Sequence, residues 1–200
     1  MPDFRTIVPV RRPGRAKCEH YSSYRDTLQE DFLRRCGYCD DLDKFRTRSY
    51  MIDHFVPQKP DGCTSTIDPA DYYNLVYACS HCNLAKSNKW PTNDVLLHND
   101  GIIGFVEPTT EEYSNLFQRN DLGEIVYSDG YSIAAYIFIE LKLGLPKHSV
   151  VWQLEKLWIL KTQIEAIQIN VKDAILEVEL QSISSSMANL FLELFEIDNE

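Results

Sequence analysis

Four cysteines carry the clearest chemistry in this sequence. They stand as Cys36-Gly37-Tyr38-Cys39 and Cys79-Ser80-His81-Cys82, with 39 residues between the inner two. Two Cys-x2-Cys pairs turn back on one metal, and four soft thiolates at tetrahedral angles suit Zn²⁺. A closed four-cysteine site has no open coordination position, so this zinc is expected to be structural. Reaction chemistry must come from other residues, and the candidates are Asp53, His54, Asn74 and Asn83. A histidine at its ordinary pKa of about 6.5 is mostly neutral near pH 7 and ready to take a proton. His54 is therefore the candidate general base. A lone Asp-His pair is mostly structural; its place between the cysteine pairs, followed by Asn74 and Asn83, favours catalysis.

These residues also form an ordered pattern. Asp53-His54, Asn74-Leu75 and Cys79-x2-Cys82-Asn83-x2-Lys86, preceded by the first cysteine pair, resemble the zinc-stapled HNH endonucleases. The likeness covers the stretch from Cys36 to about Trp90, and it implies a ββα-metal nuclease unit. It also implies that Asp53 and Asn83 hold one catalytic divalent ion, Mg²⁺ or Mn²⁺, and that Asn74 orients His54 by hydrogen bonding. Hydrolysis of a phosphodiester needs an activated water, a Lewis acid on the phosphate and support for the leaving oxygen. Lys86, one helical turn beyond Asn83, could meet a phosphate as a point charge; equally, a helix-surface lysine needs no function. The aromatic-flanked forms Cys36-Gly37-Tyr38-Cys39, Ile52-Asp53-His54-Phe55 and Tyr73-Asn74-Leu75 also look similar to HNH subunits of anti-phage defence systems such as the Septu type.

The elements that would position these residues can be read from pattern. Tyr24, Leu28 and Phe32 fall at helical spacing, so a helix is expected over 21–35, delivering the chain to Cys36. Gly37 is expected to allow the tight turn of the first knuckle. A strand is expected over 48–54, ended by Pro57, and a return strand over 74–78. The stretch 59–73 is rich in turn residues. A short helix over 80–89 stops at Trp90-Pro91. Short strands are expected at 102–106 and 123–127. A helix over 131–143 ends at Gly144 with Pro146 beyond. A heptad-like stripe then runs from Lys147 to Leu180, with Lys161 and Gln168 in two stripe positions, and Ser182 to Ser186 is expected to break it before an amphipathic end. The fold class is thus α+β: a basic arm and leading helix (1–35), an HNH unit (36–130) and a helical region (131–200).

Charge is unevenly spread along the 200 residues. Residues 1–100 hold 14 basic and 14 acidic side chains, whereas 101–200 hold 6 and 16, which accounts for the net charge of −10. Phosphate contact therefore belongs to the N-terminal half, with Arg11, Arg12 and Arg15 as candidates; a docked or solvated arm is the competing reading. The acidic helices suit packing on the nuclease unit or, as favoured here, a surface for a second copy or another subunit. No apolar run reaches the ~18 residues of a membrane span. The N-terminus has no apolar signal core and the cysteines are arranged for metal, so a reducing cytoplasm is expected. Cys18 and Cys63 are spare thiols. His81 could compete for zinc but is read as exposed, and His20, His98 and His148 show no partner. The expected function is metal-dependent cleavage of DNA. The alternatives are a non-catalytic zinc module that binds nucleic acid, or a subunit active only with a partner.

Overall fold

The computed structural model describes residues 3–198 apart from 46, 129 and 131. Asp129 and Tyr131, parts of an expected turn and helix start, lie outside the described residues, as do both chain ends. The first element is a 3-10 turn, Tyr21–Tyr24, running into helix α1, Arg25–Asp31. It buries Tyr24 and Leu28 as the spacing predicts. The helix stops short of Arg35 because Leu33 and Arg34 both take left-handed backbone angles, at φ 54° and 61°. That reversal feeds the chain directly into the first cysteine knuckle.

Strand β1, Met51–His54, pairs antiparallel with β2, Leu75–Ala78; Asp53 faces Val76 and His54 faces Leu75. All four β2 residues are buried, because α1 covers this sheet and the chain folds over both faces. Asn74 sits just before β2, in a 3-10 turn over Tyr72–Asn74 capped by Asp71. Helix α2, Ser80–Lys86, follows at once, with Cys79 as its N-cap: the Cys79 sulfur accepts from the Cys82 N–H at 3.4 Å. It ends three residues earlier than expected, where Ser87 takes φ 48°. The ββα arrangement is present.

Beyond it come helix α3, Glu111–Asn115, and the hairpin of β3, Phe117–Arg119, with β4, Ile125–Tyr127. The strand expected at 102–106 does not form; only an isolated bridge joins Asn99 and Gly104. Helix α4 covers Ser132–Glu140. The long stripe then divides differently from expectation. Helix α5 runs Pro146–Gln168 and α6 runs Ala174–Ile197, an antiparallel pair. The break falls at 169–173, where Asp173 caps α6 by accepting from the Ile175 N–H at 2.7 Å. The serine run does not break α6, because a hydroxyl can be absorbed within the helix: Ser185 donates to the Gln181 carbonyl at 3.0 Å. Lys161 pairs with Glu165, and the Gln168 amide donates to the Asp173 carbonyl at 3.0 Å, so both stripe polar residues have local uses.

One core runs from Phe4 through Phe32, Val76 and Trp90 to Leu143. A second joins Phe45 to Val150, Leu154 and Leu194 and ties the helical pair to the rest. Gly37 lies against Phe32 and Val76 of the first core. Its backbone is not left-handed; space is what it supplies, since a Cβ there would lie 2.7 Å from both Phe32 Cε1 and Val76 Cγ1. Gly37→Ala should therefore cost about 1–3 kcal/mol, typical of overpacking, and lower the melting temperature without displacing bound zinc.

Candidate active site

The four cysteine sulfurs converge. Cys36, Cys39, Cys79 and Cys82 are all buried, with every sulfur within 4.8 Å of the others. Tetrahedral ligation with Zn–S near 2.3 Å requires S···S of about 3.8 Å. Cys39 and Cys79 stand 3.8 Å apart, so the donor set fits the ion. Protons alone satisfy the cluster poorly. Burial raises the Cys36 thiol, but hydrogen bonds from Cys39, Cys79 and Cys82 outweigh it and hold Cys36 well below its ordinary pKa. Burial and the Cys36 hydrogen bond push Cys39 well above its own. A bound dication would let all four ionise.

The knuckles are held by backbone. The Gly37 N–H donates to the Tyr77 carbonyl at 2.8 Å, and Cys36 N–H to the Asp41 carbonyl at 3.0 Å. Buried Arg5 donates to the Gly37 carbonyl at 2.8 Å, and Arg119 to the Cys39 carbonyl at 2.8 Å. Cys18 and Cys63 are free and half-buried. His81 is no zinc ligand and is not exposed. It is half-buried, 2.7 Å from Lys147 Nζ and 3.2 Å from Asp198, and burial with the Lys147 charge lowers its pKa to about 4. His148 is fully buried and pairs with Asp41 at 2.6 Å, a partner invisible in sequence.

A cavity of about 400 Å³ is lined by His54, Asn83, Asp53, Gln58, Lys59 and Tyr21 among others. His54 ends β1. Its Nε2 lies 2.8 Å from the Pro69 carbonyl. A carbonyl only accepts, so the tautomer that makes this contact a hydrogen bond has the proton on Nε2 and the lone pair on Nδ1. The Gln58 amide nitrogen sits 3.1 Å from Nε2 and 3.3 Å from Nδ1, and the Tyr21 ring meets the imidazole edge-on at 4.9 Å. Asn83 lines the same cavity, with its Nδ2 3.3 Å from the Met51 sulfur.

Three expected roles change in the structure. Asn74 makes no hydrogen bond to the His54 ring. Its Oδ1 accepts from the Val56 N–H and its Nδ2 donates to the Val56 carbonyl, both at 2.9 Å. It thus clamps the chain just after His54, a positional effect through backbone, while the Pro69 carbonyl orients the ring. Lys86 does not face a phosphate. It is fully buried, donates to the His54 carbonyl at 2.8 Å and pairs with Asp53 at 3.1 Å. The arginines of the basic arm make contacts within the protein. Arg11 bonds the Leu75 carbonyl at 2.8 Å and pairs with Glu107 at 3.0 Å; Arg12 pairs with Glu30 and Asp31, both at 2.7 Å; Arg15 reaches Thr27 at 3.2 Å.

Asp53 is buried and shared. The Tyr38 hydroxyl donates to Oδ2 at 2.5 Å, and Lys86 Nζ approaches the same oxygen. Burial raises the Asp53 pKa, while the Lys86 charge and the Tyr38 hydrogen bond pull it back. Both contacts fall on Oδ2. Tyr38 escaped the sequence reading because a residue between two knuckle cysteines looks like turn filler. Gln58 and Lys59 escaped it because they lie in a loop with no periodicity.

Residues 36–89 match the family model described as HNH endonuclease. No curated protein and no solved structure matches the chain. An HNH unit points to nuclease chemistry on nucleic acid. Among the described residues, no helix is long and apolar enough to cross a membrane.

Proposed function

We propose that this chain is a metal-dependent HNH endonuclease that hydrolyses phosphodiester bonds in DNA, with His54 as general base. One observation carries the reading: His54, its Nε2 2.8 Å from the Pro69 carbonyl, lines a roomy cavity together with Asn83. Its Nδ1 would take the proton of a water, which then attacks phosphorus. Asn74 keeps this base in place through Val56. An oxygen from Asp53 and one from Asn83, with space for waters, suit Mg²⁺ or Mn²⁺, which would polarise the phosphate and offset charge on the leaving 3′-oxygen. Lys86 balances Asp53 from beneath, and the four-cysteine zinc fixes the knuckles that carry Tyr38 and α2. The products expected are 3′-hydroxyl and 5′-phosphate ends.

A protein partner or second copy through the C-terminal helices belongs to the same reading. Its support is apolar exposure on the helical pair: Ile167 at 51%, Ile175 at 72% and Val178 at 64%. Cleavage that waits for such a partner is the variant of the reading this surface favours. The aromatic flanks of the three motifs are what support a role in anti-phage defence, and a cytoplasmic location would accompany it.

The deciding experiment is cleavage of supercoiled plasmid with Mg²⁺ or Mn²⁺, wild type beside His54→Ala at equal zinc content. Loss of the general base should slow cleavage about 10²–10⁴-fold. Equal rates would remove His54 from the chemistry. Binding of DNA without cleavage by either protein would favour the non-catalytic zinc module.

A further inference from the structure

Lys86 is buried beneath the cavity, Arg11 and Arg12 are paired internally and Arg15 bonds Thr27, so none of these candidates lines the cavity where a polyanion would lie. Lys59 is a cation that does. It lines the cavity with His54 and Asn83, it is exposed, and among the described residues no ion pair or hydrogen bond of its side chain is found. Among the described residues that line the cavity Lys59 is the one lysine or arginine, and the buried Asp53 is already paired with Lys86.

Its presentation is built in. Pro57 and Pro60 are both buried, and the two residues between them, Gln58 and Lys59, are exposed. Proline fixes φ near −65°, so a two-residue tip between two anchored prolines has little backbone freedom. The far side of the tip is tied down as well, since the Asp61 N–H donates to the Asn88 carbonyl at 2.8 Å. That bond sets the tip opposite the end of α2, where Ser87, in its left-handed conformation, and Asn88 complete the rim. Gln58 of the same tip reaches His54. A strand lying along this rim would meet Lys59 while its scissile phosphate faced His54.

We propose that Lys59, held on the Pro57–Pro60 tip, grips a backbone phosphate of the nucleic-acid substrate beside the one that is cleaved. This rests on the nuclease reading above. Lys59 is a binding residue; it takes no part in proton transfer.

The test uses the full zinc-loaded chain carrying His54→Ala, so that substrate survives. Binding of a labelled DNA duplex is measured by fluorescence anisotropy across a salt series with Mg²⁺ present. Each neutralised phosphate contributes about 0.9 to the slope of log affinity against log salt on duplex. Lys59→Ala should lower that slope by about 0.9 and weaken binding roughly ten-fold at low salt, with an unchanged melting temperature. Lys59→Arg should restore the slope, and Lys172→Ala, on the exposed turn before α6, should leave it alone. With His54 present, Lys59→Ala should raise KM and leave kcat nearly intact. A slope unchanged by Lys59→Ala, where the His54→Ala parent binds, overturns the assignment and leaves the nuclease reading standing. No binding by that parent overturns both.

Discussion

Stripping the zinc, or replacing Cys82 by Ser, should unfold the region between residues 36 and 89. The reason is the position of the sulfurs in the load path of the structure. Cys39 and Cys82 are fully buried, and the first knuckle is attached to several separate parts of the fold. Gly37 bonds Tyr77 of β2, Arg5 of the arm bonds the Gly37 carbonyl, Arg119 of β3 bonds the Cys39 carbonyl, and Tyr38 holds Asp53 of β1. The second knuckle starts α2. Structural zinc contributes about 10–16 kcal/mol to folding in small zinc-finger peptides. That is comparable to the whole stability of a domain, about 5–15 kcal/mol. Chelation followed by circular dichroism should therefore show loss of the cooperative melt, with zinc release and loss of cleavage in step. Cys18→Ser and Cys63→Ser should leave both zinc content and melting nearly unchanged. A zinc-free protein with an unaltered melt would rule out a structural metal.

The parts of the site that were legible in sequence are those set by spacing along the chain. The cysteine pairs, the Asp53-His54 step at a strand end and Asn83 on the following helix all fall where spacing puts them. What spacing does not show is which face of an element meets the core. Asn83 and Lys86 lie one turn apart on α2, and helical spacing alone puts both on the same face. In the fold, Asn83 lines the cavity while Lys86 tucks under β1 and disappears from solvent. The same blindness applies to the arginine arm: its charge was legible, but Glu30, Asp31 and Glu107, which pair with Arg11 and Arg12, come from distant segments. The helical pair shows a third limit. A heptad stripe continues through a turn when the chain folds back on itself, so periodicity did not mark the break at 169–173, and only the Asp173 cap does.

Lys86→Met provides the sharpest test of that reassignment, because the two roles for Lys86 differ in observable. A surface lysine that touches phosphate can be removed at almost no cost in stability, with the loss appearing in KM. A buried lysine that balances a buried carboxylate cannot. Removing one partner of a buried pair leaves the other charge uncompensated, which costs about 3–5 kcal/mol. Lys86 also supplies the hydrogen bond to the His54 carbonyl, so cleavage should fall even at temperatures where the variant stays folded. The pair predicts two further signs. Asp53→Asn should rescue part of the lost stability in the Lys86→Met background, with a coupling of about 0.5–3 kcal/mol in a double-mutant cycle. The pH dependence should change as well. Burial already raises the folded pKa of Asp53, with Lys86 limiting the rise. A carboxyl raised above its unfolded value favours the protonated native state, so stability falls as pH climbs from the unfolded value through the folded one. Without Lys86 that window widens upward, and Lys86→Met should recover stability on acidification more than the wild type does. Denaturant melts at a series of pH values would show it. A Lys86→Met protein of wild-type stability, with only KM raised, would return Lys86 to the phosphate and leave Asp53 without its counter-ion.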